Sequence, residues 1–320
     1  MKARMPSSFL QVSNLTKSFG RRKAVDAVSF QIAAGECFGL LGPNGAGKTT
    51  TILAICGLVR PDAGEVLVGD DPRSTSEAAV RRQIGYVPQE LALYEDLTGR
   101  ENLRFFGNLY GLRRRALADR VEATLTFVDL GSRGDDKVAA YSGGMKRRLN
   151  IAAALLHEPR LLILDEPTVG IDPQSRNAIL ENLSELRSRG VALLYTSHYM
   201  EEVQRICDRI AIMDDGRILT EGTTNSLVAM LGDGAERVRL CTGRRASAAL
   251  LDKLTRVPGV ASATTTADGP ELSVRDVAQT LPAIMAVVSE DGCKVMSMTI
   301  AQPDLETVFL RLTGKALRDA

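Results

Sequence analysis

The sequence has no tryptophan and few aromatic residues of any kind. Aromatic side chains make up 4% of the 320 residues, which leaves few platforms on which nucleic-acid bases could stack. Lys and Arg number 40 against 39 Asp and Glu, so the formal net charge is only +1. So small a charge offers no general attraction to nucleic acid or to an anionic membrane. We therefore expect no nucleic-acid partner.

Long apolar runs and paired cysteines are also missing. No window approaches the roughly 18 to 20 apolar residues that a helix needs to cross a bilayer, and the basic N-terminus lacks the apolar core of a signal peptide. The five cysteines are isolated and form no CxxC pair, so neither a disulfide framework nor a zinc site is indicated. The sequence predicts a cytoplasmic protein that spans no membrane itself.

What the sequence does have is a glycine-rich segment between an apolar run and a helix-like stretch. Residues 42–50 read GPNGAGKTT. This pattern is typical of a phosphate-binding loop, because Gly45 and Gly47 can adopt positive φ and leave backbone N–H groups open to phosphate oxygens. Lys48 would add a positive charge at the β- and γ-phosphates, and the Thr49 hydroxyl would bind Mg²⁺. The predicted nucleotide-binding residues are Gly42, Pro43, Asn44, Gly45, Ala46, Gly47, Lys48, Thr49 and Thr50.

An acidic pair follows a second apolar run. Residues 161–164 lead into Asp165 and Glu166, as expected of a buried strand that ends in carboxylates. Asp165 would hold Mg²⁺, usually through water, and Glu166 would polarise the attacking water. The glycine-rich loop alone leaves switch GTPases, small-molecule kinases and helicases open, so the other motifs have to decide.

A third segment combines a serine with two glycines. Ser142, Gly143 and Gly144 precede residues 145–156, which are predicted to form a helix with a basic first turn. Unpaired N–H groups and the macrodipole make a helix N-terminus an anion site. One chain can hardly fold this segment back onto its own phosphate loop.

Residues 141–172, YSGGMKRRLNIAAALLHEPRLLILDEPTVGID, resemble the signature and Walker B region of ABC-type ATPases. In that family two such domains dimerise head to tail. The resemblance therefore implies that Ser142 and Gly144 of one chain bind the γ-phosphate held by Lys48 of the other. Such ATPases use ATP and Mg²⁺.

The resemblance extends to four more positions. Gln89 matches the Q-loop glutamine that contacts Mg²⁺ and the water, and Asp172 matches the D-loop aspartate that crosses the dimer interface. His198 matches the switch histidine that contacts the γ-phosphate. Phe19 stands where the family usually has a tyrosine that stacks on adenine, and its aromatic face can still stack.

At two positions the sequence differs from the signature that most ABC-type ATPases share, and these differences point to one subgroup of the family. Tyr141 replaces leucine and Met145 replaces glutamine, a variant similar to the ATPase subunits of ABC-2 exporters, including drug-resistance and nodulation-factor types. The likeness covers nearly the whole chain. It implies a separate ABC-2 type permease as partner, attachment through it to the inner face of the cell membrane, and export of a drug, antibiotic, lipid-like or glycan-type substrate.

Two other classes of nucleotide-binding protein fit the sequence less well. A soluble ABC protein of translation or DNA repair would need two ATPase halves or a long coiled-coil insertion. A GTPase switch would need an Asn-Lys-x-Asp motif to read guanine. The sequence contains none of these features.

The fold class expected is an α/β P-loop ATPase domain with a small α+β domain after it. Residues 1–232 would form the ABC-type domain, with antiparallel strands near the start and a helical insertion at about 90–157. Residues 235–320 would form a ferredoxin-like β-α-β-β-α-β domain that ends in an amphipathic helix.

Two surface features leave alternatives open. The last helix carries an apolar stripe, Leu305, Val308, Phe309 and Leu312, and such a stripe needs a partner surface. We therefore expect structural or regulatory dimerisation of the C-terminal domain, with regulation by a ligand as the alternative. The basic run 113–115 is expected to be a solvated loop, with contact to lipid headgroups or the permease as the alternative.

Overall fold

The computed structural model describes residues 8–69, 80, 82–230, 236–301 and 304–314. Within them the chain divides into two compact units, one ending at Thr223 and the other covering Thr224–Gly314. The loop at 232–234, where the sequence suggested a boundary, lies outside the described residues. None of the described helices is long and apolar enough to span a bilayer.

The strands of the first unit form two sheets. They are β1 (Ser8–Phe19), β2 (Arg22–Ala33), β3 (Cys37–Leu41), β4 (Ala63–Val68), β5 (Ile84–Val87), β6 (Leu161–Asp165), β7 (Ala192–Thr196), β8 (Arg209–Asp214) and β9 (Arg217–Gly222). The larger sheet has the order β5-β6-β7-β3-β8-β9 and is parallel except for the β8–β9 hairpin. Every residue of β3, β6 and β7 is buried, which explains why the strands are apolar apart from Asp165 and Thr196 at the ends of β6 and β7.

The smaller sheet is antiparallel, with the order β2-β1-β4. Val28, Phe30 and Ile32 of β2 are buried and alternate with exposed neighbours, as the sequence pattern predicted. The β8–β9 turn is tight, and Asp215 and Gly216 both adopt the positive φ that such a hairpin requires, as is typical of an Asp-Gly pair.

The structure gives bounds for six α-helices of the first unit, beside two short 3₁₀ helices at Gly131–Arg133 and Val138–Ala140. The α-helices are α1 (Lys48–Ile55), α2 (Gly99–Leu109), α3 (Arg114–Phe127), α4 (Gly143–Leu155), α5 (Pro173–Ser188) and α6 (Met200–Ile206). Helices α2, α3 and α4 share a separate apolar core that includes Leu103, Val121 and Leu149. The predicted helical insertion thus carries its own packing, and this packing holds the start of α4 in place.

The basic run at 113–115 was wrongly assigned to a loop. Arg113 is the N-cap residue of α3, and Arg114 and Arg115 are its first residues. The run is exposed, as expected, and the Arg115 side chain lies 3.5 Å from Asp119 one turn later. The helix itself lies within the helical insertion that the sequence predicted at about 90–157; three successive arginines contain no apolar residue that would mark its start.

The second unit contains one sheet with helices on it. Its elements are α7 (Thr224–Ala229), β10 (Glu236–Cys241), α8 (Ala248–Thr255), β11 (Val260–Thr265), β12 (Pro270–Val274), α9 (Val277–Glu290), β13 (Ser297–Ala301) and α10 (Leu305–Thr313). The sheet order is β11-β12-β10-β13, with every neighbouring pair antiparallel. This is the β-α-β-β-α-β arrangement that the sequence predicted.

The apolar stripe of α10 is covered within the chain. Leu305, Val308 and Phe309 are at most 1% exposed, and α10 packs against α7, whose Leu227 is also buried. Gly314 ends the helix in a left-handed conformation, as expected. Only Leu312 remains largely exposed, at 42%. The stripe therefore does not need a second chain to cover it, and the reason for assigning it to a dimer contact is lost.

This packing leads to a test of stability. Phe309→Ala should lower the free energy of unfolding by about 3–5 kcal/mol, because it leaves a cavity where a fully buried ring lay. Leu312→Ala on the same helix is the control and should cost less than about 1 kcal/mol. Urea denaturation followed by circular dichroism measures both. Equal losses for the two variants would contradict the buried position of Phe309.

Candidate nucleotide-binding and hydrolytic site

The glycine-rich loop joins β3 to α1. Gly45 has φ +79° and Gly47 has φ +104°, the left-handed conformations expected from the sequence. A Cβ atom on Gly47 would lie 2.3 Å from the Ala24 carbonyl oxygen, so a larger residue would clash with the backbone. Helix α1 begins at Lys48, slightly earlier than predicted. Its N-terminus therefore follows the loop directly, which is the geometry of a phosphate site.

Lys48 is 5% exposed and lies inside the loop. Its Nζ atom donates to the carbonyl oxygens of Gly42 and Pro43, at 2.7 and 3.2 Å. Burial lowers the pKa of Lys48, while the nearby charges of Glu166 and Asp165 raise it. The ammonium group is thus held by neutral carbonyls and by the field of the acidic pair.

A cavity of about 340 Å³ brings together residues from distant parts of the sequence. It is lined by Phe19, Arg22, Ala24, Asn44, Gly45, Gly47, Lys48, Thr49, Thr50, Gln89 and Glu166. A larger groove of about 960 Å³ lies along β1 and β2 and includes no predicted site residue. Cavity size alone therefore does not locate the site, whereas the chemistry of the lining residues does.

The acidic pair ends β6 beside the loop. Asp165 is 1% exposed, and its Oδ1 accepts a hydrogen bond of 2.8 Å from the Thr196 hydroxyl. Glu166 adopts φ +48°, unusual for a residue with a side chain, and its backbone N–H donates to the same hydroxyl at 2.9 Å. This bond fixes the backbone where it turns, and strained backbone of this kind often occurs at functional sites.

Glu166 lies between two basic side chains. Its Oε1 is 3.8 Å from Lys48 Nζ, and its Oε2 is 3.3 Å from His198 Nδ1. The His198 side chain is 29% exposed, and its ring packs against Tyr199 with the centroids 4.3 Å apart. The structure thus places the predicted histidine, which follows β7, next to the predicted general base.

The predicted Mg²⁺ ligands supply a hydroxyl, an amide oxygen and a carboxylate. Thr49 and Gln89 line the cavity, and Asp165 lies at the end of the buried strand β6. In the part of the chain that the structure describes, no group of three or more His, Cys, Asp or Glu side chains could hold a metal. Mg²⁺ is commonly bound by one or two protein oxygens together with substrate phosphates, so this donor set fits it.

The Ser142 segment lies apart from the cavity. Ser142 is exposed and is the N-cap of α4, where its Oγ accepts a bond of 3.3 Å from the Met145 N–H. Gly143 is exposed, while Gly144 is buried so tightly that a Cβ atom there would lie 2.1 Å from Ser175 Oγ. These three residues do not line the cavity that contains Lys48.

Asp172 lies next to this segment. It is the exposed N-cap of α5, and its Oδ1 accepts a bond of 2.9 Å from the Ser175 N–H. Hydrogen bonds from Ser175 hold the pKa of the Asp172 carboxyl below its usual value. Ser175 therefore contacts both of the segments that are predicted to act on the partner chain, at Gly144 and at Asp172. The structure brings these segments together on one surface of the chain.

Three residues that order the site, Arg22, Thr196 and Glu202, were missed. Arg22 lines the cavity and donates to the Gly45 carbonyl oxygen at 3.1 Å; the basic run directly after Phe19 was an available signal. Thr196 orders both members of the acidic pair. It looked like an ordinary strand residue, because its partners lie in another strand.

Glu202 is the third of these residues. It is 3% exposed, and its Oε2 accepts from the hydroxyls of Thr168, Tyr195 and Ser197 at 2.7, 2.7 and 2.9 Å. These bonds connect the segment before Asp172 with the segment before His198. Acidic residues are mostly exposed in proteins, so the sequence carried no signal of this buried position.

Comparison with known proteins agrees with this geometry. A family model for the ABC transporter matches residues 25–169. The linearmycin resistance ATP-binding protein LnrL of Bacillus subtilis is 44% identical over 315 residues, which cover 97% of this chain and 100% of that protein. The chain belongs to the ABC transporter family. It is an ATP-binding and ATP-hydrolysing subunit, as its phosphate loop and acidic pair predicted.

Two further similarities concern export and assembly. The Nod factor export ATP-binding protein I of Burkholderia lata is 38% identical over 315 residues, with 98% of this chain and 100% of that protein covered. A solved dimeric, post-hydrolysis ATP-binding cassette bound to ADP and Pi has a TM-score of 0.59 and 26% identity, covering 67% of this chain and 98% of that one. ABC transporter subunits of this kind work as dimers with a separate membrane permease.

Proposed function

We propose that this protein is the ATP-driven motor of an ABC-2 type exporter. The observation that carries the proposal is Glu166, held between Lys48 and His198 at the wall of a cavity that also contains the glycine-rich loop. This arrangement combines phosphate binding with a buried base, which is what hydrolysis of a phosphoanhydride requires.

In the proposed bound state, the nucleotide lies across the cavity. Phe19, 54% exposed at one edge, stacks on the adenine ring. The backbone N–H groups of residues 44–50 surround the phosphates, and Lys48 moves its ammonium group from the loop carbonyls to the phosphate oxygens. Mg²⁺ held by Thr49, Gln89 and Asp165 would neutralise phosphate charge as it develops.

Hydrolysis then depends on the acidic residue and its neighbours. Glu166 accepts the proton of the attacking water, which Gln89 helps to orient. His198 binds the γ-phosphate and keeps Glu166 in position through the contact at 3.3 Å. Burial of Glu166 excludes bulk water from the base, so each electrostatic contact is stronger than in solvent.

The site is completed by a second copy of the chain. Ser142, Gly143 and Gly144 offer a hydroxyl and helix N-terminal N–H groups, yet they lie outside the cavity of their own chain. We propose that they bind the γ-phosphate in the partner's cavity and that Asp172 crosses the same interface. Closing of the dimer on ATP and reopening after hydrolysis would be the mechanical output.

The permease is proposed to bind beside the Q-loop, on an aromatic patch formed by Tyr94, Phe105 and Phe106. Tyr94 is 50% and Phe105 37% exposed, and the Tyr94–Phe105 and Phe105–Phe106 ring centroids lie 4.9 and 5.4 Å apart. Exposed aromatic clusters are typical of protein–protein contacts. The patch follows Gln89 closely in sequence, so movement at the nucleotide could reach the permease.

Phe105→Asp tests this surface. We expect the ATPase activity of the complex with its co-purified membrane protein to fall about tenfold, because a charge replaces an aromatic contact, whereas the ATPase activity of the isolated chain stays within about twofold. Leu219→Asp is the control, since Leu219 is similarly exposed, at 44%, on strand β9. If the two variants bind the membrane protein equally well and their complexes have equal ATPase activity, the aromatic patch is not the docking surface.

The relatives' names suggest the cargo class. One is named for resistance to linearmycin and another for Nod factor export, so we propose export of a drug, antibiotic, lipid-like or glycan-type compound. The subunit would act at the inner face of the cell membrane through its permease. Reconstituting the co-purified complex in vesicles and measuring ATP-dependent uptake of candidate compounds tests direction and cargo together. The first unit, which ends at Thr223, would supply the motor, and the second unit, Thr224–Gly314, a structural or regulatory domain.

A further inference from the structure

Arg147 is an almost fully buried arginine that binds the backbone of the Q-loop. It lies on α4 and is 4% exposed. Its Nη1 donates to the Pro88 carbonyl oxygen at 2.7 Å, and its Nη2 donates to the Gln89 carbonyl oxygen at 2.6 Å. Two short, charge-assisted bonds from one planar group fix both the position and the orientation of this loop.

Burial of this guanidinium is unfavourable in itself. Its Nε atom is buried without a hydrogen-bond partner among the described residues. Burial lowers the pKa of Arg147, with the charge of Asp165 opposing that shift. Apolar residues of similar size often stabilise a fold as well as a buried charge does. A role in positioning therefore explains this residue better than a role in stability alone.

Arg147 joins Gln89 to helix α4, and these two elements serve different nucleotide sites of the proposed dimer. Gln89 lines the cavity that contains Lys48 of the same chain. Helix α4 is capped at its N-terminus by Ser142, the residue proposed to bind the nucleotide of the other chain. Arg147 lies little more than one turn into this helix, so the arginine and the helix N-terminus move as one body.

We propose that Arg147 is a positioning residue that couples the two nucleotide sites of the dimer. When ATP draws Gln89 toward the cavity, Arg147 transmits the displacement to α4 and sets the Ser142 segment for the partner's γ-phosphate. Because such coupling is reciprocal, engagement of Ser142 in turn stabilises Gln89 in its own site. This inference rests on the composite site proposed above.

The neighbouring residue provides a matched control. Arg148 also lies on α4 and also donates to two backbone carbonyls, those of Val128 and Asp129, at 2.9 and 3.1 Å. Its Nε atom is likewise buried without a partner among the described residues. Neither Val128 nor Asp129 lines the nucleotide cavity. Loss of Arg148 therefore removes similar bonds from the same helix without touching the Q-loop.

The first experiment tests whether ATP binding at the Q-loop changes helix α4 within a single chain. Hydrogen exchange is measured with and without ATP, at a protein concentration where light scattering shows only monomer. In the unmodified chain, ATP should slow exchange at least about fivefold in residues 88–90 and also in residues 143–150. Arg147→Gln should keep the response at 88–90 and lose it at 143–150, whereas Arg148→Gln should keep both.

The second experiment measures turnover. Arg147→Gln should lower kcat about tenfold and leave KM within about twofold. The substitution does not change the residues that bind phosphate in the nucleotide cavity of the same chain. Arg147→Lys keeps one donor and should recover part of kcat. If Arg147→Gln does not fold, Arg147→Lys decides the question: a normal exchange response together with normal kcat overturns the proposal.

The possible failures are distinguishable. An unchanged response of residues 143–150 in Arg147→Gln, or its equal loss in Arg148→Gln, overturns the coupling role alone. If ATP produces no response at 88–90 in the unmodified chain, the Q-loop assignment in the proposed function fails. If the chain never dimerises with ATP, the composite site fails.

Discussion

Glu166→Gln is expected to lower the rate of ATP hydrolysis about a thousandfold while ATP binding is retained. An amide has nearly the same shape as the carboxylate but cannot accept the proton of the attacking water, and a general base typically contributes about 10²- to 10⁴-fold. The residue is well placed for this role, since it is 6% exposed and contacts both Lys48 and His198. Loss of the negative charge beside Lys48 should not weaken the attraction of that lysine to phosphate.

Phosphate release and light scattering measure the two effects of this change. With ATP, Glu166→Gln should accumulate as a dimer, because the step that reopens the composite site is blocked. Glu36→Gln is the control: Glu36 is a carboxylate paired with Arg209 at 2.7 Å, outside the cavity, and hydrolysis should stay within about twofold. Detection of monomer only would count against composite sites, and near-normal hydrolysis would require another base.

Ser142→Arg is expected to abolish hydrolysis, by at least about a hundredfold, and to leave ATP binding by the single chain nearly unchanged. The long cationic side chain would fill the N-terminus of α4, where the N–H groups and the hydroxyl are proposed to receive the partner's γ-phosphate. Ser142 does not line the cavity of its own chain. Loss of its N-cap bond should cost about 1 kcal/mol, too little to unfold the protein.

Calorimetric titration of the monomer with ATP, beside an ATPase assay, separates binding from turnover in this variant. Ser132→Arg introduces the same charge at another exposed serine of the helical part and should have little effect on either measurement. A large loss of monomer ATP affinity in Ser142→Arg would place the serine in its own nucleotide site. Normal hydrolysis would show that the segment does not contact the nucleotide at all.

Sequence patterns a few residues long predicted much of the fold. Apolar runs predicted most of the buried strands β3, β6 and β7, because strands covered on both faces have no side that faces water. The left-handed φ angles of Gly45, Gly47 and Gly216 followed from turn chemistry. The acidic pair and the histidine were expected at strand ends, where open α/β sheets bind ligands.

Other features could not be predicted because they depend on what a surface packs against. An amphipathic pattern shows that one face of α10 is buried, but it does not identify α7 as the covering element. The buried positions of Arg147 and Glu202 run against the usual exposure of charged residues. Their partners, Gln89 and Thr168, are far away in the sequence.

Short-range patterns in the sequence predicted the chemistry of this protein: a phosphate loop, a base, and an anion-binding segment that we propose acts on the nucleotide of a second chain. Each depends on residues within a few positions of one another, since backbone conformation and helix termini are local properties. The connections between these parts depend on tertiary packing. This packing placed Glu166 between Lys48 and His198, covered the stripe of α10, and brought Arg147 against Gln89. Contacts of this kind arise from packing between distant segments, which no short-range pattern encodes.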